Sequence, residues 1–138
     1  MIIKEINKED TWLIRQKVMW PDKPIDFVKI SDDNAGLHYG LFVDGVLTSV
    51  VSCFEAGTDM QFRKLATLTD KQGKGYGTHL LKYILDVAGN KGMKRLWCNA
   101  RVNKKSFYEK FGLINTGNTF VKEGIEFSVM ELYLSDNH

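Results

Sequence analysis

The sequence predicts one α/β domain built on a mixed sheet, and three observations lead to that fold class. A hairpin of two apolar strands surrounds Asp44-Gly45, another strand candidate follows at residues 60–68, and an amphipathic helix then leads to a short apolar strand at 95–99. The last three elements form a βαβ unit, whose two strands are expected to be parallel neighbours. A chain of 138 residues with 43% apolar content is long enough for a core of its own.

The first third of the chain carries the weakest pattern. Residues 2–6 are a strand candidate, and Asn7 can cap a helix over residues 8–19. One side of that helix carries Trp12, Leu13, Gln16 and Trp20. Two prolines end the helix, and residues 25–36 are predicted to be loop, with or without one more helical turn.

The middle of the chain is clearer. Residues 37–43 alternate, Asp44-Gly45 is a two-residue turn signal, and residues 46–54 are rich in β-branched side chains. Residues 60–68 are predicted to be a third antiparallel strand. The helix at 76–91 has apolar positions with a period of 3.6, and Gly89 or Gly92 ends it. Its apolar positions are Leu80, Leu81, Ile84, Leu85 and Ala88.

After the strand at 95–99, Asn103 or Ser106 begins a short helix that runs to Lys110 and stops at Gly112. Two more strands complete the chain, the last at 127–134. The predicted element order is therefore β-α-(α)-β-β-β-α-β-α-β-β, for a single domain over residues 1–138.

Composition and charge argue against several classes of function, namely nucleic-acid binding, metal binding and membrane insertion. The net charge of +2 is too small to favour a nucleic-acid binder. Cys53 and Cys98 lie in apolar runs outside any CxxC pair, so buried reduced thiols are expected, and His38, His79 and His138 have no metal-ligand spacing. The N-terminus has no apolar signal region and no run is long enough to cross a bilayer, so we expect a cytoplasmic protein without metal, membrane or nucleic-acid partners.

The stretch Gln72-Gly73-Lys74-Gly75-Tyr76-Gly77-Thr78 precedes the amphipathic helix and is typical of a phosphate-binding loop. A P-loop requires G-x-x-x-x-G-K-[ST], but the lysine here comes before the last two glycines. A dinucleotide fingerprint requires a glycine at Thr78 or Leu80, and Lys94-Arg95 stand where a ribose-binding acid belongs. Both nucleotide motifs are therefore rejected.

The motif that remains, Q-x-x-G-x-G, resembles the acetyl-CoA loop [RQ]-x-x-G-x-[GA] of the GCN5-related N-acetyltransferases, the GNAT superfamily. A second landmark follows about thirty residues later, where Phe107-Tyr-Glu-Lys-Phe-Gly-Leu113 resembles the superfamily's F-Y-x-K-x-G-F. The alternative for this segment is an amphipathic helix that serves only the core. Arg101 stands where many members have an asparagine, with Asn103 nearby, and Leu113 replaces a phenylalanine.

The resemblance implies a GNAT fold, with a mixed six- to seven-stranded sheet, a splay between strands 4 and 5, and helices on both faces. It also implies an acetyl-CoA-dependent N-acetyltransferase that acts without a covalent enzyme intermediate. Tyr108 is expected to be the catalytic residue that hydrogen-bonds the leaving thiolate. The expected coenzyme-binding residues are Ala66, Thr67, Leu68, Gln72, Gly73, Lys74, Gly75, Tyr76, Gly77, Thr78 and Asn103.

The base and the acceptor stay open at this point. Glu55, placed just after the third strand, Glu126, His38 and water are the candidates for deprotonating the amine. The acceptor is a small-molecule or peptide amine, which Trp20, Phe27 and Tyr39 could contact unless they only pack the core. The acidic residues Asp22, Asp26, Asp32 and Asp33 either attract a cationic amine or form a solvated loop.

Two other functions remain open from the sequence. A non-catalytic acyl-CoA sensor of the same fold would use the same loop, and a nucleotide-binding regulatory domain would prefer ATP or a dinucleotide. Dimers are common among similar proteins, so a homodimer is also an open expectation.

Overall fold

The computed structural model describes residues 1–134, and these form seven strands, three α-helices and four short 3-10 turns. His138 lies outside the described residues. The strands are β1 Ile2–Ile6, β2 Leu37–Val43, β3 Val46–Ala56, β4 Asp59–Thr67, β5 Arg95–Arg101, β6 Ile114–Lys122 and β7 Ile125–Tyr133. The helices are α1 Lys8–Met19, α2 Tyr76–Asn90 and α3 Lys105–Glu109. The 3-10 turns are Ile25–Val28, Ser31–Ala35, Thr69–Lys71 and Val102–Lys104.

The strand order is β1-β2-β3-β4-β5-β7-β6. Strands β4 and β5 are parallel neighbours, as the βαβ pattern predicts, whereas β7 runs antiparallel to both β5 and β6. The predicted mixed sheet is therefore confirmed, with seven strands. The sequence did not predict that the last strand, β7, inserts between β5 and β6.

The parallel pairing of β4 with β5 is short. Its register pairs Asp59 with Arg95, Met60 with Leu96 and Gln61 with Trp97, so it covers the first three of the nine residues of β4. Lys64, further along β4, has a φ of 59°, a left-handed value that a non-glycine residue seldom adopts and that is typical of a bulge.

Most predicted helix and strand boundaries agree with the structure, and the exceptions are the end of β3 and the start of α3. Asp44 and Gly45 both have positive φ (50° and 81°), which makes the predicted hairpin turn type I′. Strand β3 extends to Ala56, so Glu55 lies within it and not after it. Helix α3 begins at Lys105, since a 3-10 turn at Val102–Lys104 occupies the place where Asn103 was expected to start the helix.

The described residues divide into two compact units, 1–54 with 62–85, and 55–61 with 86–134. In the first unit, Ile14, Val50 and Ala66 form a buried apolar cluster. In the second, Leu96, Cys98 and Met130 are buried. Helix α2 buries its predicted apolar stripe, with Leu80, Leu81, Ile84 and Ala88 fully inaccessible. Among residues 1–134, no helix is long and apolar enough to cross a membrane.

The side of α1 that carries Trp12, Leu13 and Gln16 is not its buried side. The helix buries Thr11, Ile14 and Arg15, whereas Leu13 is 54% exposed. Apolar content alone would not place Arg15 inside, since a buried charge is costly unless it is paired. The pairing comes from a distant part of the chain and is described below.

Candidate functional site

The glycine loop ends where α2 begins. Gly73 and Gly75 have φ values of 80° and 83°, and no atom lies within 4 Å of the position where a Cβ would stand on either. The amide of His79 donates to the carbonyl of Gly75 (3.0 Å) in the first turn of the helix. The amides of Tyr76, Gly77 and Thr78 precede it and have no acceptor within the helix. The start of α2 therefore has backbone donors without helical acceptors beside open space, an arrangement that suits an anion. Binding of a diphosphate here stays a prediction from the Q-x-x-G-x-G motif.

Three backbone groups at and just after the end of β4 form hydrogen bonds within the chain. The Ala66 carbonyl accepts from Ser49 Oγ at 3.0 Å, and the Thr67 carbonyl accepts from Gln72 Nε2 at 3.0 Å. The Leu68 amide donates to the Thr48 carbonyl at 3.0 Å. Gln72 thus anchors the loop to β4, and the Leu68 amide is already used within the chain.

Tyr108 lies on α3 in the second unit, and its ring contacts that of Phe107 edge-on, with centroids 5.1 Å apart. Burial raises the pKa of the Tyr108 phenol above its ordinary value; the nearby Cys98 thiol adds to this shift and Arg101 opposes it. The phenol therefore stays protonated at neutral pH and can donate a hydrogen bond. Asn103, the other predicted site residue of this unit, is exposed in the 3-10 turn after β5.

Neither cysteine is suited to attack a thioester. Cys53 and Cys98 are both buried, with 1% and 3% exposure. Burial raises the pKa of the Cys98 thiol to about 12, so the reactive thiolate is scarce at neutral pH. Among residues 1–134, no three His, Cys, Asp or Glu side chains converge as they would around a metal ion.

Two of the three base candidates are engaged elsewhere. Glu55 forms an ion pair with Lys91 at 3.4 Å, and both side chains are partly exposed. His38 is 4% exposed and uses both ring nitrogens, with Nδ1 2.7 Å from Ser52 Oγ and Nε2 2.9 Å from the Asp33 carbonyl oxygen. Glu126, on β7, is exposed.

The contacts of His38 assign its tautomer. A carbonyl oxygen only accepts, so Nε2 carries the proton and Nδ1 accepts from the Ser52 hydroxyl. Ser52 Oγ in turn accepts from Arg15 at 2.8 Å. His38 is therefore a structural member of a buried network, and both of its ring nitrogens are engaged within the chain.

Arg15 and Asp33 are the charged pair of this network. They form two parallel bonds of 3.0 Å each, and the exposed fractions of the side chains are 0% and 4%. Burial alone would raise the pKa of Asp33, but hydrogen bonds from Arg15, the Ile30 amide and Trp12 outweigh it and hold the pKa below its ordinary value. The prediction that Asp33 belongs to a solvated or substrate-attracting acidic loop is therefore wrong, because Arg15 uses its charge.

The aromatic residues predicted near the acceptor fall into two groups. Tyr39 is 6% exposed and packs against the ring of Tyr83 on α2, with centroids 5.5 Å apart, so it belongs to the core. Trp20 and Phe27 contact each other edge-on at 5.0 Å, and Phe27 remains 37% exposed.

Comparisons with known proteins agree with this arrangement. Residues 25–134 match the family model described as an acetyltransferase (GNAT) domain. The uncharacterized N-acetyltransferase YitI of Bacillus subtilis is 31% identical over 132 residues, which is 89% of each chain. A putative N-acetyltransferase from Lactobacillus plantarum superposes with a TM-score of 0.84 at 19% identity, over 98% of this chain and 100% of that one.

A Bacillus subtilis acetyltransferase in complex with CoA superposes with a TM-score of 0.77 at 16% identity, over 96% of this chain and 98% of that one. The solved structures support the fold, and the family model and YitI support the family. The chain therefore belongs to the GNAT acetyltransferase family and is an acyltransferase.

Proposed function

We propose that this protein transfers an acetyl group from acetyl-CoA directly to a primary amine, and that residues 1–138 act as one acetyltransferase domain. The loop before α2 carries the proposal. Gly73 and Gly75 face open space, so core packing does not require them to be glycine, whereas their left-handed backbone does. A diphosphate on this loop would meet the unused amides of the first helical turn and its partial positive charge.

The proposed coenzyme contacts follow β4 and the loop. Gly73, Lys74, Gly75 and residues 76–78 hold the diphosphate, with Lys74 adding positive charge at the exposed loop. Gln72 acts by anchoring the loop to the Thr67 carbonyl. Ala66, Thr67 and Leu68 are proposed as backbone partners for pantetheine. Leu68 can offer only the second lone pair of its carbonyl, since its amide donates to the Thr48 carbonyl and its carbonyl accepts from the Lys71 amide at 2.8 Å. Asn103 is proposed as a further coenzyme contact.

Acetyl-CoA supplies a thioester, whose carbonyl carbon forms the new bond to the amine nitrogen while the C–S bond breaks. The chain's own contributions are donors. A backbone N–H of β4 beyond the pairing with β5 polarises the carbonyl. Tyr108 donates its O–H to the sulfur that leaves as a thiolate. The buried Cys98, with its pKa of about 12, favours direct transfer over an acetyl-cysteine.

The amine must lose a proton, because an alkylamine has a pKa near 10.4 and is mostly protonated at neutral pH. Since Glu55 pairs with Lys91 and His38 is fully hydrogen-bonded, we propose that Glu126 or water accepts this proton. A homodimer and a cytoplasmic location stay predictions from the sequence.

Thermal unfolding tests the proposal. Acetyl-CoA and CoA at a hundred times their dissociation constants should each add about 2.7 kcal/mol to the free energy of unfolding, whereas ATP and NAD should add nothing. Release of CoA thiol in the presence of amines then identifies the acceptor. A flat response to both CoA ligands would refute the proposed function.

A matched pair of variants assigns the binding to the loop. Gly75→Glu places a carboxylate where the diphosphate is proposed to bind, and it should abolish the CoA-dependent shift. Gly92→Glu is the control, because Gly92 follows the other end of the same helix, has a φ of 72° and also has no atom within 4 Å of a Cβ. The two variants share backbone strain and added charge, so a loss of binding in both would contradict the loop assignment.

A further inference from the structure

Arg63, on β4, has a side chain without an ionic partner among the described residues 1–134. The residue is half-buried, and its guanidinium carbon lies 5.8 Å from the centre of the Phe54 ring. Among residues 1–134, no hydrogen bond and no ion pair within 4 Å involves this guanidinium. A guanidinium carries five donors in a planar fork and stays charged, so this arrangement leaves strong donors unused.

The charged residues near Arg63 influence its guanidinium without pairing with it. Burial lowers the pKa of Arg63, Asp32 opposes that effect, and the nearby positive charge of Arg15 adds to it. Asp33 is already bound by Arg15 through two hydrogen bonds. Asp32 therefore attracts Arg63 from a distance without forming an ion pair.

The acidic residues expected to attract a cationic amine are largely used within the chain. Asp33 pairs with Arg15, and Asp26 pairs with Lys29 at 2.8 Å. This removes two of the four carboxylates that would favour a polyamine. Arg63 is half-buried near this segment, carries a positive charge and forms no ion pair with any of residues 1–134.

The position of Arg63 on β4 relates it to the acyl donor. Arg63 precedes Ala66 by three positions, which is roughly 10 Å along an extended strand. With the diphosphate on the glycine loop after β4 and pantetheine along Ala66 and Thr67, the acyl end lies toward Arg63. An acceptor that approaches this end with its amine can place a second group on the guanidinium.

We propose that Arg63 binds an oxyanion of the acceptor, so that the acceptor is an amine that also carries a carboxylate or a phosphate. Planar bidentate bonds from arginine suit both groups. The proposal rests on the proposed acetyl transfer and narrows it, since it favours amino acids and amines with an acidic group over polyamines and aminoglycosides.

The test compares matched acceptors with acetyl-CoA as donor: amino acids against their amides, phosphoethanolamine against ethanolamine, and spermidine. The acidic member of a pair should have a kcat/KM roughly 10- to 100-fold higher, the range of charge-assisted hydrogen bonds. The carboxylate and phosphate pairs distinguish the two oxyanions. Arg63→Met should remove this preference by raising KM for the acidic member alone.

Two further variants separate binding from structure. Lys4→Met is the matched control, because Lys4 is an exposed cation 4.8 Å from the Phe42 ring, and it should keep the preference. Asp32→Asn removes the carboxylate that attracts Arg63, and it should leave KM for the acidic acceptor unchanged or lower it several-fold. If Asp32 is the true partner of Arg63, Asp32→Asn will instead raise that KM as Arg63→Met does, and the proposal is overturned.

The remaining outcomes of these experiments also test the Arg63 assignment. If acetyl-CoA stabilises the protein but no acidic acceptor is acetylated, or if Arg63→Met raises KM for acids and amides alike, the assignment of Arg63 is overturned while the CoA site stands. If neither CoA ligand changes thermal unfolding, the proposed function fails, and the Arg63 assignment fails with it. Thermal unfolding of Arg63→Met should match the parent, since the guanidinium has no ionic partner to lose.

Discussion

Replacing Tyr108 with phenylalanine tests the proposed donor to the leaving thiolate. The substitution keeps the ring and its edge-on contact with Phe107, with centroids 5.1 Å apart, and removes only the hydroxyl. Because burial raises the pKa of Tyr108, complete proton transfer to a thiolate with a pKa near 8.5 is uphill by more than about 2 kcal/mol. The hydroxyl is therefore expected to act by hydrogen bonding.

The size of the effect follows from that role. A hydrogen bond to a charged group contributes about 1.5–3 kcal/mol, which corresponds to a fall in kcat of roughly 10- to 150-fold. KM for acetyl-CoA should change little, since the bond strengthens as negative charge develops on sulfur. Ionisation of Tyr108 should cause no loss of activity between about pH 7 and 10, because its raised pKa keeps it protonated there.

The assay is thiol release with saturating amine and varied acetyl-CoA, for the parent, Tyr108→Phe and Tyr133→Phe. Tyr133 is 68% exposed at the end of β7, so its hydroxyl serves as the matched control. A kcat for Tyr108→Phe within twofold of the parent, with thermal unfolding unchanged, would show that the hydroxyl does not assist the leaving group.

Two further predictions concern buried groups of the two units. Asp33→Asn leaves the buried Arg15 without a counter-charge and should lower the free energy of unfolding by about 3–5 kcal/mol at pH 7, measured by urea unfolding. The pKa of Asp33 is depressed in the fold, so its contribution to the free energy of unfolding is complete above the unfolded pKa near 3.9 and is lost as pH falls through the folded pKa. If the difference in unfolding free energy between the parent and Asp33→Asn stays constant from about pH 7 to pH 3, this linkage is contradicted. Cys98→Ala should retain acetyl transfer, because the thiol is not a nucleophile, and a loss of kcat beyond about tenfold in a folded variant would argue for an acetyl-cysteine.

The parts of the fold that sequence reasoning predicted depend on neighbours in the chain. Asp44-Gly45 forms the type I′ turn because both residues tolerate a left-handed backbone. The apolar stripe of α2 is set by a period of 3.6, and the right-handed crossover makes β4 and β5 parallel neighbours. The order of β7 and β6 could not be predicted in this way, because antiparallel strands can add to a sheet in either order and tertiary packing selects one of them.

The parts that sequence reasoning missed depend on groups far apart in the chain. Arg15, Asp33, His38 and Ser52 meet in one buried network, and no local pattern links them. A helix position with arginine is ordinarily expected to face water, so the sequence did not predict that α1 buries Arg15. Pairing with Asp33 reverses that expectation, because a buried guanidinium with a bidentate carboxylate is no longer an isolated charge.

The sequence by itself determined the family, the glycine loop before α2 and the identity of Tyr108 as the residue to test, because these are short motifs whose chemistry depends on adjacent residues. Only the tertiary structure decided how the charges are used. It pairs Asp33 with Arg15, engages both nitrogens of His38 and leaves the guanidinium of Arg63 beside Phe54. The physical reason is that a charge or a ring nitrogen acquires its role from the partners that folding brings to it, and these partners come from distant segments.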